Sequence, residues 1–366
     1  QELPQPPVPH PFPCSAGLWA LEERLELSSP LCLAARHGHP DCLRHLLRRG
    51  ADPSLAPGGE APLHQACLGG HSDCVELLLE YRAQPNVLSE RGTAPLHLCT
   101  SRDSLCAKLL LLHGAAVELP SEVGGDTALH VAARHRLCHH ARLYLRRRAR
   151  VDARNARQET ALGVLCGQAP AQDDHSLQLF QLLLNHGADV EARDESWRRP
   201  LHRACGAANA ELVRLLLRRG ADANAIDYDG VSPLGWALQA AASRPELRPH
   251  LTVQLLLNHG SQRIWPSAFV KVHAPKWQVI EVLFNSYSQI PVSQEWREAV
   301  PQELFQHRAF YESLLGLAGT ARSLQHLCRA AIRAHLGDKC HCLIPLLPLP
   351  RALQEFLLLE PRGVVL

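Results

Sequence analysis

The sequence predicts an all-α repeat: a solenoid of helix-turn-helix units with short β-hairpin loops, followed by a small helical module at the C-terminus. Three observations carry this. Leucines stand at 31, 63, 96, 129, 162, 201 and 234, at intervals of 32, 33, 33, 33, 39 and 33, each within a signature such as Ala61-Pro62-Leu63-His64 or Thr127-Ala128-Leu129-His130. Leucine runs follow (Leu77 to Leu79, Leu182 to Leu184, Leu215 to Leu217, Leu255 to Leu257), and glycines such as Gly187, Gly220 and Gly260 end several of them, as left-handed helix caps require. Beyond Gly260 this phase stops, and from Ser323 a different pattern begins.

Composition narrows the function classes. Apolar residues make up 46% and charged residues 20%, enough apolar content for a folded soluble protein. The net charge of +2 favours no class of partner, and no apolar run approaches the length of about 18 residues that a membrane span needs. Residues 1–13 hold six prolines with no basic-then-apolar pattern, which argues against a secretory signal. The sequence has no methionine even at position 1, which suggests a fragment lacking its true N-terminus. The thirteen cysteines are odd in number, form no CxxC pair and recur at repeat positions (Cys42, Cys74, Cys106, Cys138; Cys67, Cys99, Cys166, Cys205). Thiols so placed read as small buried apolar side chains in a reducing compartment, not as a disulfide framework.

In chain order, residues 1–28 read as a Pro-rich, partly disordered segment, with 16–29 a cap or the first finger of the array. Residues 29–262 hold about seven repeats, with inserts near 167–176 and 241–250 that should map to loops. The signatures and the period resemble ankyrin repeats. Each unit cannot bury its apolar faces alone, so stacking supplies a continuous core, and a buried leucine contributes roughly 1.5–3 kcal/mol. Residues 263–322 lack the signature but carry Trp265, Trp277 and Trp296, which reads as a packed helical connector, or alternatively as an aromatic binding patch.

The C-terminal stretch, 323–366, divides in two. Ser323 is a natural N-cap, and Leu324, Leu327, Cys328 and Ile332 lay one apolar stripe along a helix over 323–336, with Gly337 just past its end. The second half, 344–359, has Ile344, then Leu347-Pro348-Leu349-Pro350, then Leu353, Phe356 and Leu357. Both halves, in order, resemble a SOCS box. With the repeats, the chain resembles the ankyrin repeat and SOCS box protein family. That resemblance implies a substrate-recognition subunit of an elongin B/C–cullin-5 ubiquitin ligase, non-catalytic itself and cytoplasmic, with the nucleus also open to it. It implies that Leu324, Leu327, Cys328 and Ile332 contact elongin C, with elongin B behind it. It also implies that Leu347, Pro348, Leu349 and Pro350 favour cullin-5 and its RING subunit.

Other constellations are weighed against chemistry. His64, His97, His130 and His202 recur at one repeat position and read as hydrogen-bonding across the turn. Cys340-His341-Cys342, with Cys328 and His335 upstream, lacks the paired ligand spacing of structural zinc. No phosphate loop, nucleophile motif or acid/base pair appears, so the expectation is no catalytic residue, no metal and no cofactor. Nine arginines between Arg134 and Arg157, with Asp152 the one acid among them, are either a solvated face or a patch for an acidic target segment. Nucleic acid lacks aromatic interleaving in its favour, and a membrane lacks a span. Candidate target contacts are Arg146, Arg147, Arg154 and Arg157, with Trp197 and Tyr228 on finger tips near 152–159, 191–199 and 224–231. The rival reading is an ankyrin scaffold or inhibitor that never assembles a ligase; a thiol or zinc enzyme is a third.

Overall fold

A computed structural model describes residues 21–23, 26–170, 175–263, 277–288, 308–317 and 322–362. The chain divides into two compact units, one of 1–132 with 142–149, the other of 133–141 with 150–366.

In the first unit, strands β1 (Leu21–Glu23) and β2 (Glu26–Ser28) pair antiparallel, with Glu22 opposite Leu27. Helices α1 (Pro30–Arg36), α2 (Pro40–Arg48), α3 (Pro62–Gly69) and α4 (Ser72–Glu80) follow. The next signature forms only a 3₁₀ turn, Pro95–Leu98, before α5 (Leu105–Leu112). The cluster Thr100-Ser101-Arg102-Asp103 explains the early stop: the Ser101 hydroxyl donates to the Asp103 carbonyl, and such side chains offer the backbone turns in place of helix. Helices α6 (Ala128–Arg134) and α7 (Cys138–Arg146) straddle the division between units.

In the second unit stand α8 (Ala161–Cys166), α9 (His175–Asn185), α10 (Pro200–Gly206), α11 (Ala210–Arg218), α12 (Pro233–Ser243) and α13 (Pro249–Asn258). The expected insert at 241–250 is less a loop than the sequence suggested. α12 runs on through Ser243, and only a 3₁₀ turn, Pro245–Leu247, separates it from α13, because Ala240-Ala241-Ala242 is good helix former and Pro249 restarts a helix at its first position. Of the insert at 167–176, residues 171–174 lie outside the described residues.

The sequence explains the helix starts. Pro30, Pro62, Pro200 and Pro233 each occupy a first turn, where a missing N–H costs nothing. Ser29, Thr160 and Ser232 accept from the backbone N–H three residues on. Elsewhere the histidines act: the His64 Nδ1 accepts from the Ala61 N–H (3.1 Å) while its Nε2 donates to the Thr93 carbonyl of the following repeat (3.0 Å). His97 bridges Ala94 to Leu119 likewise, and His202 bridges Arg199 to Ala225. Burial lowers the pKa of all three below the usual imidazole range, holding them neutral for these paired bonds. The signature leucines 31, 63, 96, 129, 162, 201 and 234 are all buried.

The thiols follow the repeat logic with one correction. Cys67, Cys74, Cys99, Cys106, Cys138, Cys166 and Cys205 are buried, but Cys42 is exposed, on the face of the first helix pair that it shares with Leu33 and His37, while α3 and α4 pack against that pair.

Beyond the repeats, α14 (Trp277–Ser286) packs on α13 and is buried from Val279 to Ser286, and α15 (Arg308–Gly316) brings Phe310 within 5.8 Å of the Trp277 ring. Trp265 and Trp296 lie outside the described residues. The C-terminal module comprises α16 (Leu324–Leu336), α17 (Cys340–Leu343) and α18 (Arg351–Leu357). Its core is Cys340, Ile344, Phe356 and Leu357, with Leu336, Leu347, Leu349 and Leu358 packed against it.

Candidate protein-docking site

Helix α16 sits in the fold with its polar face inward. The Ser323 hydroxyl caps it, accepting from the His326 N–H, and Gly337 ends it at φ +58°. Its buried side chains are His326, Arg329 and Arg333, spaced by three and four residues. The apolar stripe faces solvent: Leu324 is 76% exposed, and Leu327, Cys328 and Ile332 are exposed with it. A helix whose apolar face is uncovered leaves about 1.5–3 kcal/mol of burial unrealised at each large side chain, so the arrangement needs a reason on the polar side.

That reason is a set of acceptors at helix ends. The Arg333 guanidinium donates to Asn258 Oδ1 (2.6 Å), the Leu257 carbonyl (3.1 Å) and the Leu357 carbonyl (2.7 Å), in the last turns of α13 and α18. These last turns carry unsatisfied carbonyls and partial negative charge, so one planar cation caps two helices at once. Gln254 and Asn258 each add a side-chain amide bond to the Leu358 carbonyl, both at 2.9 Å. Beside Arg333, the His326 Nδ1 accepts from Arg322 and Arg329 (2.8 Å each), and its Nε2 donates to the Tyr287 carbonyl (2.5 Å). Arg329 also lies 4.4 Å over the Phe356 ring. Burial, then the two neighbouring arginines, pull the His326 pKa down to about 4, so the imidazole is neutral and its lone pair is available to them. Burial likewise lowers Arg329 to about 9 and Arg322 to about 10.

The outward stripe and the second half of the module face one cleft of about 390 Å³, where Leu324, Cys328 and Ile332 stand opposite Leu349, Leu353 and Phe356. The two halves singled out in the sequence are therefore brought together. The Leu-Pro-Leu-Pro run is extended, with Leu347 at φ −66°, ψ 139° and Pro350 at φ −53°, ψ 146°, close to polyproline geometry. Pro348 and Pro350 are exposed, whereas Leu347 and Leu349 are half-buried against the module's own core. Cys340, tempting as a metal ligand, is buried with its thiol directed at the Gly337 and Arg333 carbonyls, and Cys342 turns its thiol to Lys339.

The candidate target contacts are dispersed. Arg146, Arg147, Arg154 and Arg157 are all exposed, but the first pair belongs to the first unit and the second pair to the other. Arg147 donates to the Leu111 carbonyl, and Arg154 to the Gln158 and Arg193 carbonyls. Trp197 and Tyr228 stand on adjacent finger tips, 54% and 77% exposed. The buried arginine-histidine face was missed in the sequence; its signal was there, in Arg322, His326, Arg329 and Arg333 at helical spacing.

Known proteins place this architecture. A SOCS box model matches residues 320–358; ankyrin repeat models match 20–89 and 168–264 as three-copy arrays and 124–156 as a single repeat. Ankyrin repeat and SOCS box protein 18 of Homo sapiens is 57% identical over 359 residues, covering 96% of this chain and 77% of that protein. Ankyrin repeat and SOCS box protein 16 of Mus musculus is 42% identical over 351 residues, covering 95% and 77%. Among solved structures, the crystal structure of the human ASB11 ankyrin repeat domain superposes with a TM-score of 0.55 at 28% identity, covering 63% of this chain and 98% of that one. With its repeats, its outward-facing C-terminal helix and these relatives, the chain belongs to the ankyrin repeat and SOCS box protein family.

Proposed function

We propose that the chain is the substrate-recruiting subunit of an elongin B/C–cullin-5 ubiquitin ligase, its repeats holding a target protein and its C-terminal module joining the ligase. The observation that carries this reading is the inverted helix: α16 is held by its polar face and offers Leu324, Leu327, Cys328 and Ile332 to a partner. In this reading Leu324 is the anchor that enters an apolar pocket on elongin C, with Cys328 and Ile332 one and two turns on, in a helix-in-groove mode where few side chains supply most of the affinity. The exposed Pro348 and Pro350 meet cullin-5 through a backbone already extended, so little conformational entropy is lost on binding. Ubiquitin transfer is left to the RING subunit and a conjugating enzyme; this chain contributes proximity, raising the effective concentration of target lysines. A cytoplasmic location, the nucleus included, goes with that role.

The test is co-purification of the full chain with elongin B/C and cullin-5. Leu324→Ala/Cys328→Ala should abolish elongin binding without lowering stability, since both side chains are exposed; Pro348→Ala/Pro350→Ala should spare elongin and weaken cullin-5. A folded native chain that binds neither protein would leave a pure ankyrin scaffold.

A further inference from the structure

Three consecutive finger tips of the second unit share one construction. Asn155, Asp194 and Asp227 are buried at the base of each turn, and their side-chain oxygens accept from backbone N–H groups two and four residues on. Two backbone bonds close each turn: the N–H of 155, 194 and 227 donates to the carbonyl of 159, 198 and 231, and the carbonyl of the same first residue accepts from the N–H of 158, 197 and 230. The tips are linked in series, the Glu195 N–H donating to the Arg157 carbonyl and the Tyr228 N–H to the Ser196 carbonyl, both at 3.0 Å. The turn puts its fourth residue in the left-handed region, where Gly230 stands at φ +74°, Gln158 at φ +58° and Trp197 at φ +59°. Two of the three tips thus hold a side chain where glycine would make the same turn without strain, and Trp197 is the bulky one. Nor does this tryptophan gain burial in exchange, being 54% exposed. The Arg193 guanidinium lies 5.4 Å over its ring. Next along the series, Ile226 is 62% and Tyr228 77% exposed.

Charge is mixed on these tips, where Glu195 and Asp229 are exposed along with the arginines. Arg198, Arg199 and Arg203, nearer the helices, are each paired with carboxylates: Asp194, Glu191 with Asp222, and Glu159 with Asp194 respectively. At the tips, Arg157 and Arg193 pair with no carboxylate among the described residues, and Arg154 is held by two backbone carbonyls, which leave its charge uncompensated. Arginine and aromatic side chains are the types that dominate binding energy at protein interfaces, and strained backbone collects at such sites.

From this we infer that the three tips form a directional peptide-docking surface. Its occupant is an extended segment of a target protein, with acidic side chains over Arg154, Arg157 and Arg193 and an apolar stretch against Trp197, Ile226 and Tyr228. Trp197 is the central anchor, standing where the charged and apolar halves meet. The inference rests on the repeats being the target-binding part of the chain and is independent of what the C-terminal module joins.

The test is selection of a random short-peptide library on the full chain, followed by fluorescence anisotropy of the winners. Selected peptides should combine clustered Asp or Glu with Trp, Phe or Leu, and bind more weakly as salt rises. Trp197→Gly keeps the turn and should leave melting unchanged or raised, yet weaken these peptides about tenfold or more; Arg157→Glu/Arg193→Glu should do the same. No enrichment, enrichment without acids, or indifference to these substitutions overturns the inference. So does stronger binding of RNA or of phosphatidylserine vesicles that depends on the arginines but not on Trp197. Elongin B/C co-purification of the same proteins separates the two readings: its failure in the native chain, with peptide selection intact, sinks only the ligase assignment.

Discussion

Replacing Arg333 by methionine removes the clamp between α16 and the last turns of α13 and α18 while keeping most of the aliphatic volume. The substitution strands Asn258 Oδ1 and the Leu257 and Leu357 carbonyls, three acceptors in a region closed to water. A buried acceptor left without a donor costs about 1–3 kcal/mol, while removing a buried cation returns its desolvation penalty, which is visible in the lowered pKa of Arg333. The net loss is therefore placed at about 3 kcal/mol, in the range for breaking one side of a buried charged contact. Repeat proteins transmit such losses mainly to nearest neighbours, so the C-terminal module should open alone. Hydrogen exchange followed by mass spectrometry reads this directly: amides of α16 and α18 should exchange about 100-fold faster, while those of α10 and α11 keep their native rates. Unchanged exchange in α16 would mean the clamp holds nothing; equal acceleration in α11 would mean the module is not a separate cooperative unit.

Further expectations follow from the same contacts. His326 has its folded pKa lowered to about 4 by burial and then by Arg322 and Arg329, with Arg263 adding a weaker repulsion and the Tyr287 carbonyl opposing it. Its contribution is thus whole above the unfolded value of about 6.5 and lost as pH falls toward 4; hydrogen exchange of the module should accelerate over that window, and His326→Gln should flatten the response. At Gly260 (φ +79°) an added Cβ would lie 2.7 Å from the Asp338 Cβ and 2.9 Å from its Cα, whereas at Gly220 (φ +85°) it meets nothing within 4 Å. Gly220→Ala should therefore cost about 1 kcal/mol by conformation alone, and Gly260→Ala more, with the melting difference as the measure. Iodoacetamide should label Cys42, Cys328 and Cys342 in the folded chain and spare Cys166, whose thiol burial pushes up to about 12; native labelling of Cys166 would refute its burial.

The repeats were legible because the same physical problem recurs at one period. A proline at a first turn, a leucine that must be buried and a histidine that must link two backbones leave few alternatives, and seven copies in phase average out local noise. What the period could not show was where a unit departs from it. The first helix of the third repeat shrinks to a 3₁₀ turn, since four polar residues after Cys99 compete for backbone bonds, while the polyalanine end of α12 carries that helix into what counted as an insert. Arg146, Arg147, Arg154 and Arg157 likewise read as one patch in the sequence, where proximity along the chain is the only distance available; the fold assigns them to two units and binds some to carbonyls.

The C-terminal helix marks the limit of that kind of reading. Its sequence carries two stripes, Leu324, Leu327, Cys328 and Ile332 on one side and His326, Arg329 and Arg333 on the other, with Arg322 adding to the second from just before the cap, and the hydrophobic effect taken alone would bury the first. The second is buried because its donors find acceptors that only the assembled chain supplies, at the ends of α13 and α18, in the Asn285 amide of the last turn of α14 and in the Tyr287 carbonyl just past it. Those acceptors are distant in sequence, up to 76 residues from Arg333, so no local pattern announces them. A helix held by directional bonds is also held in one orientation, since a turn of the helix about its axis would break three Arg333 bonds together, whereas an apolar seam could slip with little loss. An adaptor needs just that: an exposed apolar stripe, uncovered until a partner arrives, at a fixed attitude to the last repeat of the unit that carries it.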